Sequence, residues 1–364
     1  MDINLLILLF IAGALLLLSF LMLSNAVGVN RKPNFYFGIC LFIWSSFFWD
    51  DLLLGDLLHH QIVYTITRFI QFLAPLIFYQ SVHFYSNPYY KYRIRDTGHL
   101  ILAILFLILL ICKPEISHEY FQIIYLMMVL GNALFYTGLS YLKIIKHRKN
   151  IESFASSKEN IDLRWILWII YATIAASVTT AFYNVFSGER SLNIYISIFF
   201  MLVVYIVAFY TIRQKEIYPK GLDVEDIDTE FSEINSGIKN KLMDDSELEE
   251  LKIKLTILME AEKLYLDNEL NLVKLAEKMN ISGHQLSYVI NQGFGENFFF
   301  FVNKYRVKRA EELLTNSDYE KYTILAIGYE AGFNSKTSFN NAFKKLTSFT
   351  PTEYRKTVPI YKVV

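Results

Sequence analysis

Apolar runs dominate the first 213 residues and then stop. A helix needs roughly 20 apolar residues to cross a bilayer. Runs of that kind predict helices over residues 3–24, 34–55, 61–86, 98–112, 119–142, 165–187 and 191–212. Four are free of charge: Ile3–Leu23, Tyr120–Leu142, Trp165–Ser187 and Ser191–Ile212. The second meets Asp50 and Asp51, the third contains Arg68, and the fourth is bracketed by Asp96 and Lys113. Beyond residue 250 the pattern becomes a series of short amphipathic helices. The expected fold is therefore all-α: a seven-span bundle (1–213), an acidic linker (214–250) and a helical C-terminal domain (251–364).

The short loops carry an orientation signal. Alternate loops hold Arg31 and Lys32, then Lys91, Arg93 and Arg95, then Lys146, Arg148, Lys149 and Lys158. The opposite loops offer only Lys113 and Arg190. Basic loops stay in the cytoplasm, so the N-terminus is expected outside and the C-terminal domain inside. Ile3–Leu23 lacks a basic leader and is followed by further spans, so it reads as a membrane helix, not a signal peptide. The outer loops are too short to build a ligand-binding domain. An incoming signal would have to be lipophilic, small enough to enter the bundle, a bilayer property, or another membrane protein.

The C-terminal pattern is a helix-turn-helix, a long helix, and a second helix-turn-helix. Asn271 is positioned to cap a helix through Met279, with Leu272, Leu275, Ala276 and Met279 facing inward. Ser282 caps the next, which turns Leu286, Val289 and Ile290 inward and groups His284, Ser287 and Tyr288 on the opposite face. A long helix from Glu296 to Thr315 carries Lys304, Arg306, Lys308 and Arg309. In the second unit Thr323 and Ser335 are the caps, Gly332 makes the turn, and Phe339 and Phe343 point inward. That leaves Lys336, Thr337, Asn340 and Asn341 outward. The outward faces suit the DNA major groove, and Arg306, Lys308, Lys344 and Lys345 suit phosphates.

These residues carry a resemblance. Residues 253–357 are similar to the C-terminal domain of the AraC/XylS family of transcription regulators. The likeness rests on GFNSKTSFNNAFKK from Gly332, TPTEYR at Thr350–Arg355, and FVNKYRVKRAEELL from Phe301. It implies two rigidly paired reading heads inserted into successive major-groove segments, and a dimer on repeated half-sites. Carried over, the base readers are His284, Ser287 and Tyr288 in the first head and Lys336, Thr337, Asn340 and Asn341 in the second. Two positions depart from the pattern. Asn341 stands where the family often has Arg, which favours adenine over guanine. Ser348 stands where Gly is usual. The front part resembles, by architecture alone, the multi-pass membrane module of some bacterial AraC-like regulators.

Charge refines the picture. The zero net charge is the sum of unlike regions: residues 214–250 hold 4 Lys/Arg against 12 Asp/Glu, and the last 44 residues hold 7 against 2. A basic C-terminal tip suits a polyanion. Only Cys40 and Cys112 are present, which excludes a disulfide framework and CxxC metal sites. No nucleotide loop, HExxH, GxSxG or triad pattern occurs, so neither an enzyme nor a cofactor is expected. Arg68 either marks a site for an anionic group or snorkels to the outer face. Asp50, Asp51, Asp56, His59 and His60 form either a signal site or a polar interfacial hairpin. Asn132, Asn184, Ser177, Thr179 and Thr180 read as interhelical hydrogen bonders.

The expectation is thus a DNA-binding regulator embedded in a bacterial cytoplasmic membrane. Its expected partners are double-stranded DNA, the lipid bilayer, a second copy and, if it activates, RNA polymerase. Three rivals remain open. One is a membrane transporter or enzyme with a regulatory tail, another a regulator released by proteolysis. The third is a scaffold whose helical domain binds protein.

Overall fold

The computed structural model describes residues 3–49, 57–158, 161–187, 194–215, 217–218 and 242–357. Among them no strand occurs, and the only bridge is the isolated antiparallel pair Ala155 and Asn271. The chain divides into two units. The first holds Met1–Lys146 and Leu163–Ile217, the second His147–Asp162 and Tyr218–Val364. The mid-sequence stretch His147–Asp162 groups with the C-terminal unit.

In the first unit the helices are α1 (Ile3–Leu23), α2 (Arg31–Ser46), α3 (Gln61–Phe72), α4 (Ala74–Ser86), α5 (His99–Ile111), α6 (His118–Asn150), α7 (Arg164–Ser187) and α8 (Ile194–Arg213). The α1–α2 pair is tight because Gly38 has no side chain. A Cβ there would lie 2.9 Å from Leu23 Cγ, and Ser19 Oγ donates to the Gly38 carbonyl at 2.8 Å. This is the small-residue packing that draws helices together in lipid. Pro75, lacking an N–H, separates α3 from α4. Beside that break Asn132 donates to the Phe72 carbonyl at 2.8 Å, an interhelical bond of the expected kind. Thr179 instead bonds back to Ala175 of its own helix. The side chains of Ser177, Thr180 and Asn184 lie outside the described residues.

Apolar side chains in this unit point outward as well as inward. Phe20, Ile101, Met127 and Leu134 are 61–71% exposed, and nothing in the unit covers them. Among the described residues, four stretches are long and apolar enough to cross a membrane: Leu5–Leu23, Gln61–Ser86, Ile94–Ile111 and His118–Ser153. Arg164–Ala175 and Ser197–Arg213 are shorter apolar helices. Seven such spans were expected. The second is reduced because α2 is 16 residues long, and residues 50–56 lie outside the described set. Helix α6 corrects the expectation in the other direction. It runs 33 residues, about 50 Å, through the basic stretch expected to be a loop. His147, Arg148 and Lys149 fall in its last turn, where cations offset the negative end of the helix dipole.

The second unit contains α9 (Asp245–Ala261), α10 (Leu272–Met279), α11 (Gly283–Tyr288), α12 (Phe298–Thr315), α13 (Ile324–Glu330), α14 (Lys336–Thr347) and α15 (Pro351–Thr357). Side-chain acceptors fix helix starts in this unit. Asp244, Asn271, Ser282, Asn297, Thr323 and Ser335 accept from the backbone N–H three residues on. Such caps are typically worth about 1 kcal/mol each. One core gathers Val307, Leu313 and Leu314 of α12, Ile327 of α13, and Phe333, Phe339 and Phe343. Gly328 allows α13 to cross α14 closely, since a Cβ there would meet Phe339 Cδ1 at 2.6 Å. Gly332 sits at φ +89°, and its missing Cβ would lie 2.4 Å from the Tyr265 carbonyl oxygen.

Candidate nucleic-acid interface

Two helix-turn-helix units flank α12. In the first, Asn280 takes the left-handed conformation (φ 57°) that ends α10, and the Ile281 N–H closes onto the Ala276 carbonyl at 3.1 Å. Ser282 then starts α11 with a reciprocal box: Gln285 N–H donates to Ser282 Oγ at 3.1 Å, and Ser282 N–H to Gln285 Oε1 at 2.9 Å. α11 lasts only six residues before a wider i→i+5 turn over Val289–Gly293. His284 and Tyr288 are half-buried on its outer side. Ser287 is a correction to the expected reading face. It is 3% exposed, and Asn291 Nδ2 donates to its hydroxyl at 3.3 Å, so it is not available to a base.

The second head offers more. α14 is twelve residues long, with Lys336, Thr337 and Asn341 exposed and Asn340 half-buried. Phe339 and Phe343 anchor its opposite side in the core. Lys344 and Lys345 are exposed in its last turn. Lys345 Nζ also lies 4.2 Å from the Phe300 ring centroid, which draws it toward α12. Ser348 ends the helix at φ 67°, the conformation a glycine would adopt without strain. Thr350 and Glu353 form the cap of α15. The Thr350 N–H and hydroxyl each donate to Glu353 Oε2 at 2.8 Å and hold that carboxyl below its usual range.

α12 between the heads splits its cations. Lys308 is exposed, while Lys304 pairs with Glu296 and Arg309 with Glu312, both at 3.0 Å. Arg306, expected on phosphate, is 1% exposed. Its guanidinium donates to the carbonyls of Tyr265 (2.7 Å), Asp267 (2.8 Å) and Ser156 (3.5 Å). Burial pushes it down to about 10, partly offset by Asp267, so it stays charged at neutral pH. A buried cation facing three carbonyls is a structural clamp and cannot reach DNA. Sequence reasoning also missed its neighbour Asn303, whose amide donates to Ser156 at 3.1 Å. The available signal was the pair Ile151 and Phe154, apolar residues in an otherwise polar loop.

The residues considered for signal reception are partly described. Arg68 Nη1 donates to Gln71 Oε1 at 2.7 Å, and its guanidinium lies 5.6 Å from the Tyr64 ring, over which Lys113 Nζ sits at 3.5 Å. His59 is exposed at the end of a short turn. Asp50, Asp51 and Asp56 lie outside the described residues. Among the described residues no group of three or more His, Cys, Asp or Glu is placed to hold a metal.

Comparison with known proteins agrees on the C-terminal region. The family described as helix-turn-helix domain matches residues 275–357. An uncharacterized HTH-type transcriptional regulator of Staphylococcus aureus (strain COL) is 34% identical over 93 residues, 26% of this chain and 12% of that protein. Another, from Haemophilus influenzae, is 30% identical over 93 residues, 26% of this chain and 30% of that one. The chain therefore covers well under half the length of these relatives. Among solved structures, the C-terminal domain of AraT, a response regulator from Geobacillus stearothermophilus, is 27% identical. It covers 32% of this chain and 89% of that one, with a TM-score of 0.27. Residues 275–357 thus match a helix-turn-helix domain.

Proposed function

We propose that the protein is a membrane-embedded transcription regulator whose two C-terminal heads read double-stranded DNA. The observation that carries this reading is the pair of capped helix-turn-helix units on one connecting helix, with the exposed polar face of α14 beside a basic helix end. In this reading His284, Tyr288, Lys336, Thr337, Asn340 and Asn341 contact bases. Lys308, Lys344 and Lys345 contact phosphates, which position the domain without reading sequence. Asn341 suits adenine, to which an amide side chain pairs bidentately.

The first unit serves as the membrane part. Its uncovered apolar side chains and four long apolar stretches support this, because such a surface in water would drive aggregation. The full topology is seven crossings of a bacterial cytoplasmic membrane, with the N-terminus outside and the heads in the cytoplasm. The bundle receives the signal, and a second copy supplies the partner on repeated half-sites, with RNA polymerase engaged if the effect is activation. Two measurements test the reading: a topology reporter fused after Val364, and selection of DNA from a random pool by the full chain in lipid nanodiscs. The expected results are a cytoplasmic reporter and enrichment of one repeated sequence. An external reporter, or no enrichment, contradicts it.

A further inference from the structure

Residues 147–162, from the last turn of α6 to the approach to α7, belong to the second unit. Their described part is built into the DNA-reading domain like a strap. Ile151 and Phe154 are fully buried, and Phe154 stacks on Tyr218 with ring centroids 5.1 Å apart. His147 is buried between two partners. The Ile161 carbonyl, 3.0 Å from Nε2, can only accept, so Nε2 carries the proton and Nδ1 accepts from the Tyr218 hydroxyl at 2.9 Å.

From there the strap touches both heads and the connecting helix. At the first head, Leu272 N–H donates to the Phe154 carbonyl at 2.9 Å and Ser156 Oγ to the Leu270 carbonyl at 2.6 Å, on either side of the Asn271 cap. At the connecting helix, Asn303 and Arg306 both donate to the Ser156 carbonyl, and Asn297 Nδ2 donates to Glu152 at 3.2 Å. Lys158 pairs with Glu152 and lies 4.9 Å from the Phe299 ring centroid. At the second head, Ser157 Oγ donates to Asn334 Oδ1 at 3.1 Å, one residue before the Ser335 cap of α14. That same Asn334 oxygen accepts from Ser338 in the first turn of α14.

We propose that this strap is an internal ligand of the reading domain that braces the two heads in register, so that the segment joining α6 to α7 controls paired DNA binding. A peptide bonded at both caps and at the connecting helix restricts how the heads move against each other. Docked, it lowers the ordering cost of placing both heads on DNA at once; released, each head still reads its own major-groove segment. The inference rests on the DNA-reading role proposed above. It adds where control is exerted and through which atoms.

The test uses the full chain in nanodiscs and DNA enriched by the wild-type protein, with a control in which the segment read by one head is scrambled. Ile151→Asp with Phe154→Asp undocks the strap from its own side. Asn303→Ala with Ser157→Ala weakens the docking with less risk to folding. Hydrogen exchange over residues 151–158 reports release. The expected result for both variants is faster exchange there and about a tenfold loss of affinity for the two-site DNA, with single-site affinity unchanged. Released straps with unchanged two-site affinity overturn the proposal while leaving DNA reading intact. A wild-type chain that enriches no sequence overturns the DNA-reading role, and the strap's role with it.

Discussion

The two heads share a plan but not an endowment. α11 has six residues, no lysine or arginine, and a buried serine in the middle of its intended reading face. α14 has twelve residues, three exposed polar side chains and two exposed lysines at its end. The first head spends its polar groups internally, in the Ser282–Gln285 box and the Asn291–Ser287 bond. The second turns its polar groups outward and anchors itself with phenylalanines. Discrimination and affinity should therefore reside mainly in the second head, while the first contributes placement.

Removing the frame common to both should have the largest effect. Arg306→Leu removes a charged donor from the carbonyls of Tyr265, Asp267 and Ser156; Asp267 keeps the Leu270 N–H and Ser156 keeps Asn303. The expected cost is about 3 kcal/mol for the lost bonds to a charged donor, seen as lost hydrogen-exchange protection in α12 and loss of binding through both heads. Next come the readers. Lys336→Ala or Asn341→Ala should cost about 1–3 kcal/mol of discrimination at one base position. His284→Ala and Tyr288→Ala should cost less in the same binding assay; equal losses would erase the contrast between the heads.

Lys344→Ala should weaken all sequences alike and reduce the slope of log affinity against log salt by about one. Lys345→Ala should do less, because its ammonium is already drawn to Phe300. The smallest effect is expected at the end of α14. Ser348→Gly relieves a side chain held at φ 67° and should stabilise the domain by about 0.5–1 kcal/mol, read as a raised melting temperature.

The parts legible in sequence are those with a local cause. Asn271, Ser282, Thr323 and Ser335 announce helix starts because a short polar side chain can satisfy a free N–H three residues on. The inward aromatics of α14 follow from helical spacing alone. What escaped depends on partners far along the chain. Arg306 reads as one more surface cation in a run of four, and only the carbonyls of Tyr265, Asp267 and Ser156 explain its burial. Ser287 lies on the right face by spacing, yet Asn291 covers it. The basic end of α6 looks like a loop because charge marks the edge of a span, although lysine and arginine are good helix formers. Ile151 and Phe154 stand out as apolar residues in a polar stretch, but what covers them, such as Tyr218 against Phe154, lies far along the chain.

The most direct test of the central claim is a hydroxyl-radical footprint of the enriched DNA bound by the full chain in nanodiscs. The account predicts, within each half-site, two protected segments on one face of the duplex, about one helical turn apart, with the stronger protection under the second head. A single protected segment, or uniform protection along the fragment, would contradict it.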